Sequence, residues 1–288
     1  MIVRSVLFAP ANHPRRSRAA LDGSADAVIL DLEDSVPETH KAQARAAALE
    51  MVASDDGAGP LRWVRINGLA TAHALDDLEA LVVAGVDAVV LPKVESAAQI
   101  LIADWMIAQL ERTRGLEIGG IEVLPMVETA LGLARLQEIA TASARVRRIS
   151  FGAADFTLDL NMSWEPGHPG LLYARLQLVI ASRLANLLAP IDMVFTDLAD
   201  HRGFEREAEE ARKLGFGGKA CIHPSQVEIA NRVFAPSPQQ VAEARMIVDA
   251  FQAALAQGLA SIQVGGRFVD HPIAEQARRI LQESGQDF

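Results

Sequence analysis

The stretch Ala27–Val36, AVILDLEDSV, carries Asp31, Glu33 and Asp34 at the end of an apolar run. Alternate side chains of a strand share a face, so Asp31 and Glu33 point the same way and Asp34 falls where the chain turns. An ionised carboxylate buried without a partner is very costly, so this cluster needs cations. Arg65 in WVRIN and Lys93 in AVVLPKVE follow similar apolar runs, as do Glu128 in EVLPMVET and Asp155 in RISFGAAD. Glu128 and Asp155, completed by water, suit Mg²⁺ or Mn²⁺ with positions left for substrate oxygens. The other reading of Glu128 is a pair with a cation such as Lys93. Zinc favours histidine and cysteine, and the seven histidines form neither HxH nor HExxH. Arg65 must be paired or meet an anion. It can hold the oxygen of an enolate, bridge to Glu33 or Asp34, or do both. Glu33 and Asp34 are expected on metal-bound water and Arg65 rather than on the metal. Asp31 either joins them or serves a deeper structural role.

These residues need a scaffold that brings strand ends together. Short apolar runs recur at 5–10, 27–34, 63–67, 88–95, 122–129, 148–155, 193–198 and 218–224. Helix-like segments such as THKAQARAAALEMV and PGLLYARLQLVIASRLANLL separate them. Strands alternating with helices predict parallel pairing with right-handed crossovers. Eight such units predict a TIM (β/α)₈ barrel, whose active site lies at the C-terminal strand ends. A doubly wound sheet is the rival, but APANHPRR replaces the Gly-rich turn that fold usually shows after its first strand. The expected rim therefore gathers Asp31, Glu33, Asp34, Arg65, Asn67, Lys93, Glu95, Glu128, Asp155, Thr196, Asp197 and His223.

A basic patch follows the first run: Arg15, Arg16 and Arg18, with Lys41 entering the helix after the second run. Arg15, Arg16 and Lys41 are candidates for the phosphates of a ligand such as coenzyme A; the plainer reading is a solvated helix face. His223, before a proline, is either a ligand contact or a brace for its turn. Cys221 is read as a buried core thiol, since no partner base for a nucleophile is evident. The barrel is assigned to 1–235. Beyond it, 236–288 reads as a helix, a hairpin around Gly265–Gly266 and a last helix. So small a hairpin is not stable alone, and is expected to dock on its own barrel or a neighbour's.

The chain has 288 residues, half of them hydrophobic, with a net charge of −10 and one cysteine. That charge argues against general nucleic-acid binding. A single cysteine excludes an internal disulfide framework and fits a reducing cytoplasm. No uncharged apolar run reaches the ~18 residues of a membrane span. The first residues run apolar then basic, the reverse of a secretory leader, which again suggests the cytoplasm.

LFAPANHPRR, AVILDLEDSV, HKAQAR, WVRIN, VVLPKVESA, PMVETALG, ISFGAADF, CIHPSQV and FVDHP occur in the order seen in citrate lyase beta-subunit-like proteins of the HpcH/HpaI aldolase superfamily. The resemblance runs from Ser5 to Pro272. It implies a trimeric or hexameric TIM barrel that binds Mg²⁺ and a CoA-type thioester, with Glu128 and Asp155 as metal ligands and Arg65 as the substrate arginine. The acids of LDLED fall on Asp31, Glu33 and Asp34. Asp270 corresponds to an acid/base aspartate that, in related lyases, crosses to a neighbouring subunit's site. Two departures stand out: Ala11 where members often have glycine, and Leu131 where arginine often follows ETA. The implied reaction is reversible cleavage of a 3-hydroxyacyl thioester, such as malyl-CoA, citramalyl-CoA or citryl-thioester, to an acetyl thioester and a 2-oxo acid. The alternatives are a 2-oxo-acid aldolase without CoA and a non-catalytic thioester-binding assembly subunit.

Overall fold

A computed structural model of the protein describes residues 2–53, 59–163, 165 and 169–285. Eight strands run β1 (Ser5–Pro10), β2 (Ala27–Asp31), β3 (Leu61–Arg65), β4 (Ala88–Leu91), β5 (Glu122–Val127), β6 (Ser150–Phe151), β7 (Ile191–Asp192) and β8 (Gly218–Cys221). They form a closed parallel barrel in sequence order, and β8 pairs back to β1 through Leu7 and Cys221. Helices fill the connections, as in a TIM (β/α)₈ barrel.

Strands of such a barrel bury both faces, which explains their unbroken apolar runs. Val6, Ile29, Trp63, Val90, Leu124 and Met126 belong to one cluster inside the barrel. Their neighbours of opposite parity, including Val28, Leu30, Val64, Val89 and Val123, are also buried. The two-residue period then carries the interior face onward, from Ile29 to Asp31, from Trp63 to Arg65, and from Met126 to Glu128.

The seventh strand departs from expectation. The sequence favours 193–198, yet the ladder forms only at Ile191 and Asp192. Side chains take the carbonyls that a longer ladder would use. Lys219 Nζ donates to the Met193 carbonyl at 2.8 Å, and Gln226 Nε2 donates to that of Phe195 at 2.9 Å. Met193 and Phe195 remain buried without being strand residues.

The chain divides into two compact units, one of Val3–Arg232 and one beginning at Val233. In the second, Ser237 and Gln240 form a capping box that opens the helix Pro238–Leu255. β9 (Ile262–Val264) and β10 (Arg267–Val269) make an antiparallel hairpin. Its turn residues Gly265 and Gly266 have φ of 56° and 81°, which a two-residue turn with both φ positive requires. The helix His271–Glu283 follows. Phe251 packs with Val269 and Ala274, with Ile262 and Val264 against them. Helices of its own unit thus cover the Val269 side of the hairpin, while Phe268 on its other side stays exposed.

Candidate active site

Asp31 and Arg65 are partners on the β2–β3 ladder. Their side chains meet bidentately, Nε to Oδ1 and Nη2 to Oδ2, each at 2.7 Å. Arg65 also places Nη1 at 2.9 Å from Glu33 Oε2 and at 4.0 Å from Asp34 Oδ2. Its guanidinium lies 5.1 Å from the centre of the Phe8 ring. Burial disfavours the Arg65 charge, but Asp31, Glu33 and Glu128 outweigh it and raise the pKa. Burial likewise works against ionised Asp31, yet Arg65 holds that carboxyl below its usual range. Asp31 also accepts from the backbone N–H of Glu33 at 3.0 Å and of Ser35 at 3.2 Å. It therefore shapes the turn that presents Glu33 and Asp34.

Glu128 is 1% exposed. One of its oxygens accepts from the Lys93 backbone N–H at 2.6 Å. Lys93 has a φ of 50°, and its ammonium lies 3.1 Å from Asp155 Oδ1. One residue thus touches both candidate ligands. Burial pushes Glu128 up to about 8, with Lys93 N–H opposing and Glu33 adding to the rise. Glu33 is pushed up to about 7 by burial, which Arg65 only partly offsets. Gly152 makes room for the Glu128 carboxylate: a Cβ there would lie 2.2 Å from Oε2. Asp155 sits in the first turn of the helix Ala153–Asp159, where the helix dipole favours an anion.

A cavity of about 390 Å³ lies within the barrel, with Trp63, Leu124 and Met126 as apolar lining and Arg65, Glu128 and Asp155 as polar lining. Asp34 lines both it and a groove of about 550 Å³ bounded by Glu33, Lys41, Asn67, Lys93 and Glu95. Among the described residues, no three His, Cys, Asp or Glu side chains form a ligand set. The candidate donors are the oxygens of Glu128 and Asp155, and water would have to complete the shell. Hard oxygen donors with excess negative charge fit Mg²⁺ or Mn²⁺.

Several expected residues play other parts. Lys41 is no member of an exposed patch: it is buried, and Nζ donates to the carbonyls of Leu32 and Glu33, each at 2.8 Å. Asn67 turns to Asp77 Oδ2 at 2.7 Å. Asp197 accepts from the N–H groups of Ala199 and Asp200 in an exposed loop that includes Thr196. His223 is exposed, with Nδ1 2.9 Å from Ser225 Oγ, which braces its own turn. Cys221 is fully buried, and burial pushes its thiol up to about 12, which makes it inert as a nucleophile. Arg15 and Arg16 stand exposed in the first turn of the helix Pro14–Leu21. Asp270 caps the helix His271–Glu283 through the Ile273 N–H.

Sequence reasoning missed a second ionic network. Lys219 Nζ lies 2.9 Å from Asp192 Oδ2 and 2.7 Å from Glu207 Oε1. Arg175 grips Asp192 with two bonds of 3.0 Å. A lysine inside GKAC and an aspartate inside PIDM were the available signals.

The sequence model of the HpcH/HpaI aldolase/citrate lyase family matches residues 4–224. The chain belongs to this family. It is 36% identical over 279 residues to the citrate lyase subunit beta of Leuconostoc mesenteroides subsp. cremoris, covering 97% of this chain and 92% of that one. It is also 36% identical over 305 aligned residues to the L-malyl-CoA/beta-methylmalyl-CoA lyase of Cereibacter sphaeroides (strain ATCC 17025 / ATH 2.4.3), covering 98% and 94%. The crystal structure of CitE from Mycobacterium tuberculosis, in complex with magnesium, acetoacetate and coenzyme A, superposes with a TM-score of 0.80 at 31% identity, covering 99% of both chains. This family membership makes the protein a carbon–carbon lyase of the citrate lyase beta-subunit-like type. Among the described residues, no helix is long and apolar enough to cross a membrane.

Proposed function

We propose that this lyase uses Mg²⁺ to cleave a 3-hydroxyacyl-CoA thioester, of the malyl-CoA, citramalyl-CoA or citryl-thioester kind, to an acetyl thioester and a 2-oxo acid. The observation that carries the reading is the pair Glu128 and Asp155 lining the same cavity as an arginine fixed in place by two carboxylates. The CoA thioester and magnesium named for the relatives support it.

Glu128 and Asp155 would hold the cation, which supplies charge stabilisation for a substrate carboxylate and hydroxyl. As the hydroxyl proton passes to solvent water, its oxygen becomes the carbonyl of the 2-oxo acid, the carbon–carbon bond breaks, and the electron pair of that bond moves to the acetyl thioester as an enolate. Arg65 meets the negative charge developing on the enolate oxygen. Asp31 and Glu33 keep the guanidinium oriented, so little reorganisation is needed at that moment. The apolar cavity lining keeps water from the enolate. Arg15 and Arg16 are assigned to the CoA phosphates: their helix has no acid in its first turn and no side-chain cap, a setting that favours an anion. Asp270 is assigned the proton on the enolate carbon, from a neighbouring subunit of a trimer or hexamer in the cytoplasm.

The test is purified protein with Mg²⁺ against a panel of hydroxyacyl-CoAs, reading free 2-oxo acid. No product from any member would sink the reading. Asp270→Ala should bind Mg²⁺ yet turn over poorly. After dissociation and reassembly with Glu128→Gln, with exchange verified by mass, part of the activity should return. Mixed oligomers with no gain would remove Asp270 from the neighbour's site.

A further inference from the structure

We propose that Lys41 is a positioning residue that sets Glu33, and through it Arg65, by clamping the backbone of the turn at 32–35; this rests on the lyase reading above. Lys41 opens the helix Lys41–Ala53, and its side chain runs back to the carbonyls of two consecutive residues, Leu32 and Glu33. Bonds from an ammonium to carbonyls are charge-assisted and stronger than neutral ones. The same turn is held from its N–H side by Asp31, which accepts from Glu33 and Ser35. The two clamps share Glu33: Asp31 takes its amide and Lys41 takes its carbonyl. Glu33 in turn lies on Arg65, and Asp31 holds that same guanidinium. The turn and the arginine are therefore linked through Asp31 and Glu33, and Lys41 joins them from the helix that follows the turn.

The placement separates this role from two others. Lys41 is not on the candidate metal ligands: Glu128 takes the Lys93 N–H and Asp155 the Lys93 ammonium. Nor does it stand free for a phosphate, since at 8% exposure two of its three donors are already used. Loss of the clamp lets the turn drift, and small misplacements of an oriented charge are costly to the transition state.

Lys41→Ala should lower kcat about tenfold or more, leave KM within about threefold, and leave Mg²⁺ affinity by calorimetry unchanged. Propylammonium, which replaces the deleted atoms, should restore part of kcat. Adding Lys41→Ala to Glu33→Gln should cost little more than Glu33→Gln alone, because both remove the same orientation. A raised KM with kcat intact would make Lys41 a substrate contact and overturn the proposal; so would full additivity with Glu33→Gln. Should Lys41→Ala not fold, Lys41→Arg keeps the charge at the wrong length and should show the same kcat loss; wild-type kcat there overturns the proposal. A crystal structure of Lys41→Arg gives a readout independent of the reaction. The proposal expects Glu33 to leave Arg65, whereas an unchanged 2.9 Å contact would refute it even if the lyase reading failed on its own panel.

Discussion

Two buried ionic networks stand at different places in the same barrel, and they are built on opposite plans. Around Lys219, two cations meet two carboxylates: Lys219 and Arg175 against Asp192 and Glu207. Burial alone would strip the Lys219 proton, yet its partners outweigh that and raise its pKa. At the rim, Asp31, Glu33 and Asp34 gather about Arg65, Asp155 meets the Lys93 ammonium, and Glu128 takes the Lys93 backbone N–H. There, burial leaves Glu33 and Glu128 reluctant to ionise. The balanced network closes on itself and holds β7 to β8 and to the helix His201–Leu214. The unbalanced one has room for positive charge to arrive. Composition alone would have grouped the two, but their charge balance separates structure from chemistry.

The contrast predicts opposite responses to removing one charge. Lys219→Met should destabilise the fold by about 3–5 kcal/mol, because it takes the cation from buried Glu207 and leaves Asp192 with Arg175 alone. Urea unfolding measures this, and a loss under about 1 kcal/mol would mean the network is not closed. Glu128→Gln and Asp155→Asn should cut turnover about 10²–10³-fold at limiting Mg²⁺. The metal-free stability of Glu128→Gln should stay equal to or above that of wild type, since it removes a carboxylate that burial disfavours, whereas Asp155→Asn also gives up its half-exposed pair with Lys93, worth about 1 kcal/mol or less. Wild-type turnover in either variant would remove that carboxylate from the metal site.

Cys221 reports how dry the closed network's surroundings are. Burial pushes its thiol up to about 12 from a reference near 9.0, even though Lys219 favours the thiolate. Between these values the unfolded chain loses a proton that the folded chain keeps, so stability falls as pH rises above about 9. The slope relative to Cys221→Ala should approach 1.4 kcal/mol per pH unit at most. Parallel curves for the two proteins would contradict the burial. The smallest effect belongs to the exposed helix: Arg15→Gln with Arg16→Gln should weaken CoA binding roughly fivefold or less per residue and flatten its salt dependence. Unchanged affinity at low salt would leave that helix face merely solvated.

Much of the rim was legible because charges at the ends of apolar runs have few places to go in a parallel barrel. Glu128, Asp155, Arg65 and the LDLED acids all declare themselves in that way. Asp31 as Arg65's main partner was missed, although carrying the two-residue period from Ile29 to Asp31 and from Trp63 to Arg65 would have found it. Sequence pattern instead suggested Glu33 or Asp34, which stand nearer the turn. Lys41 was not legible: sequence shows its charge but not that its helix folds it back onto the preceding turn. The seventh strand was misjudged because apolar alternation signals burial, whereas a ladder also needs carbonyls that side chains have not taken. Lys219 was overlooked since a lone lysine in a short strand gives no hint of partners that lie 12 and 27 residues away in the chain.

The pairing of Asp31 with Arg65 on neighbouring strands has a consequence for assembly. Shifting β2 by one residue against β3 would turn Asp31 out of the lumen, away from its guanidinium, and point Leu30 inward. Such a barrel would bury a lone carboxylate and a lone guanidinium, at a cost of several kcal/mol. Correct closure is thus favoured by the same ion pair that orients the arginine. A polypeptide that zips its second and third strands together out of step carries an electrostatic fault it cannot hide, and the arrangement proposed for bond cleavage doubles as a proofreading mark for folding.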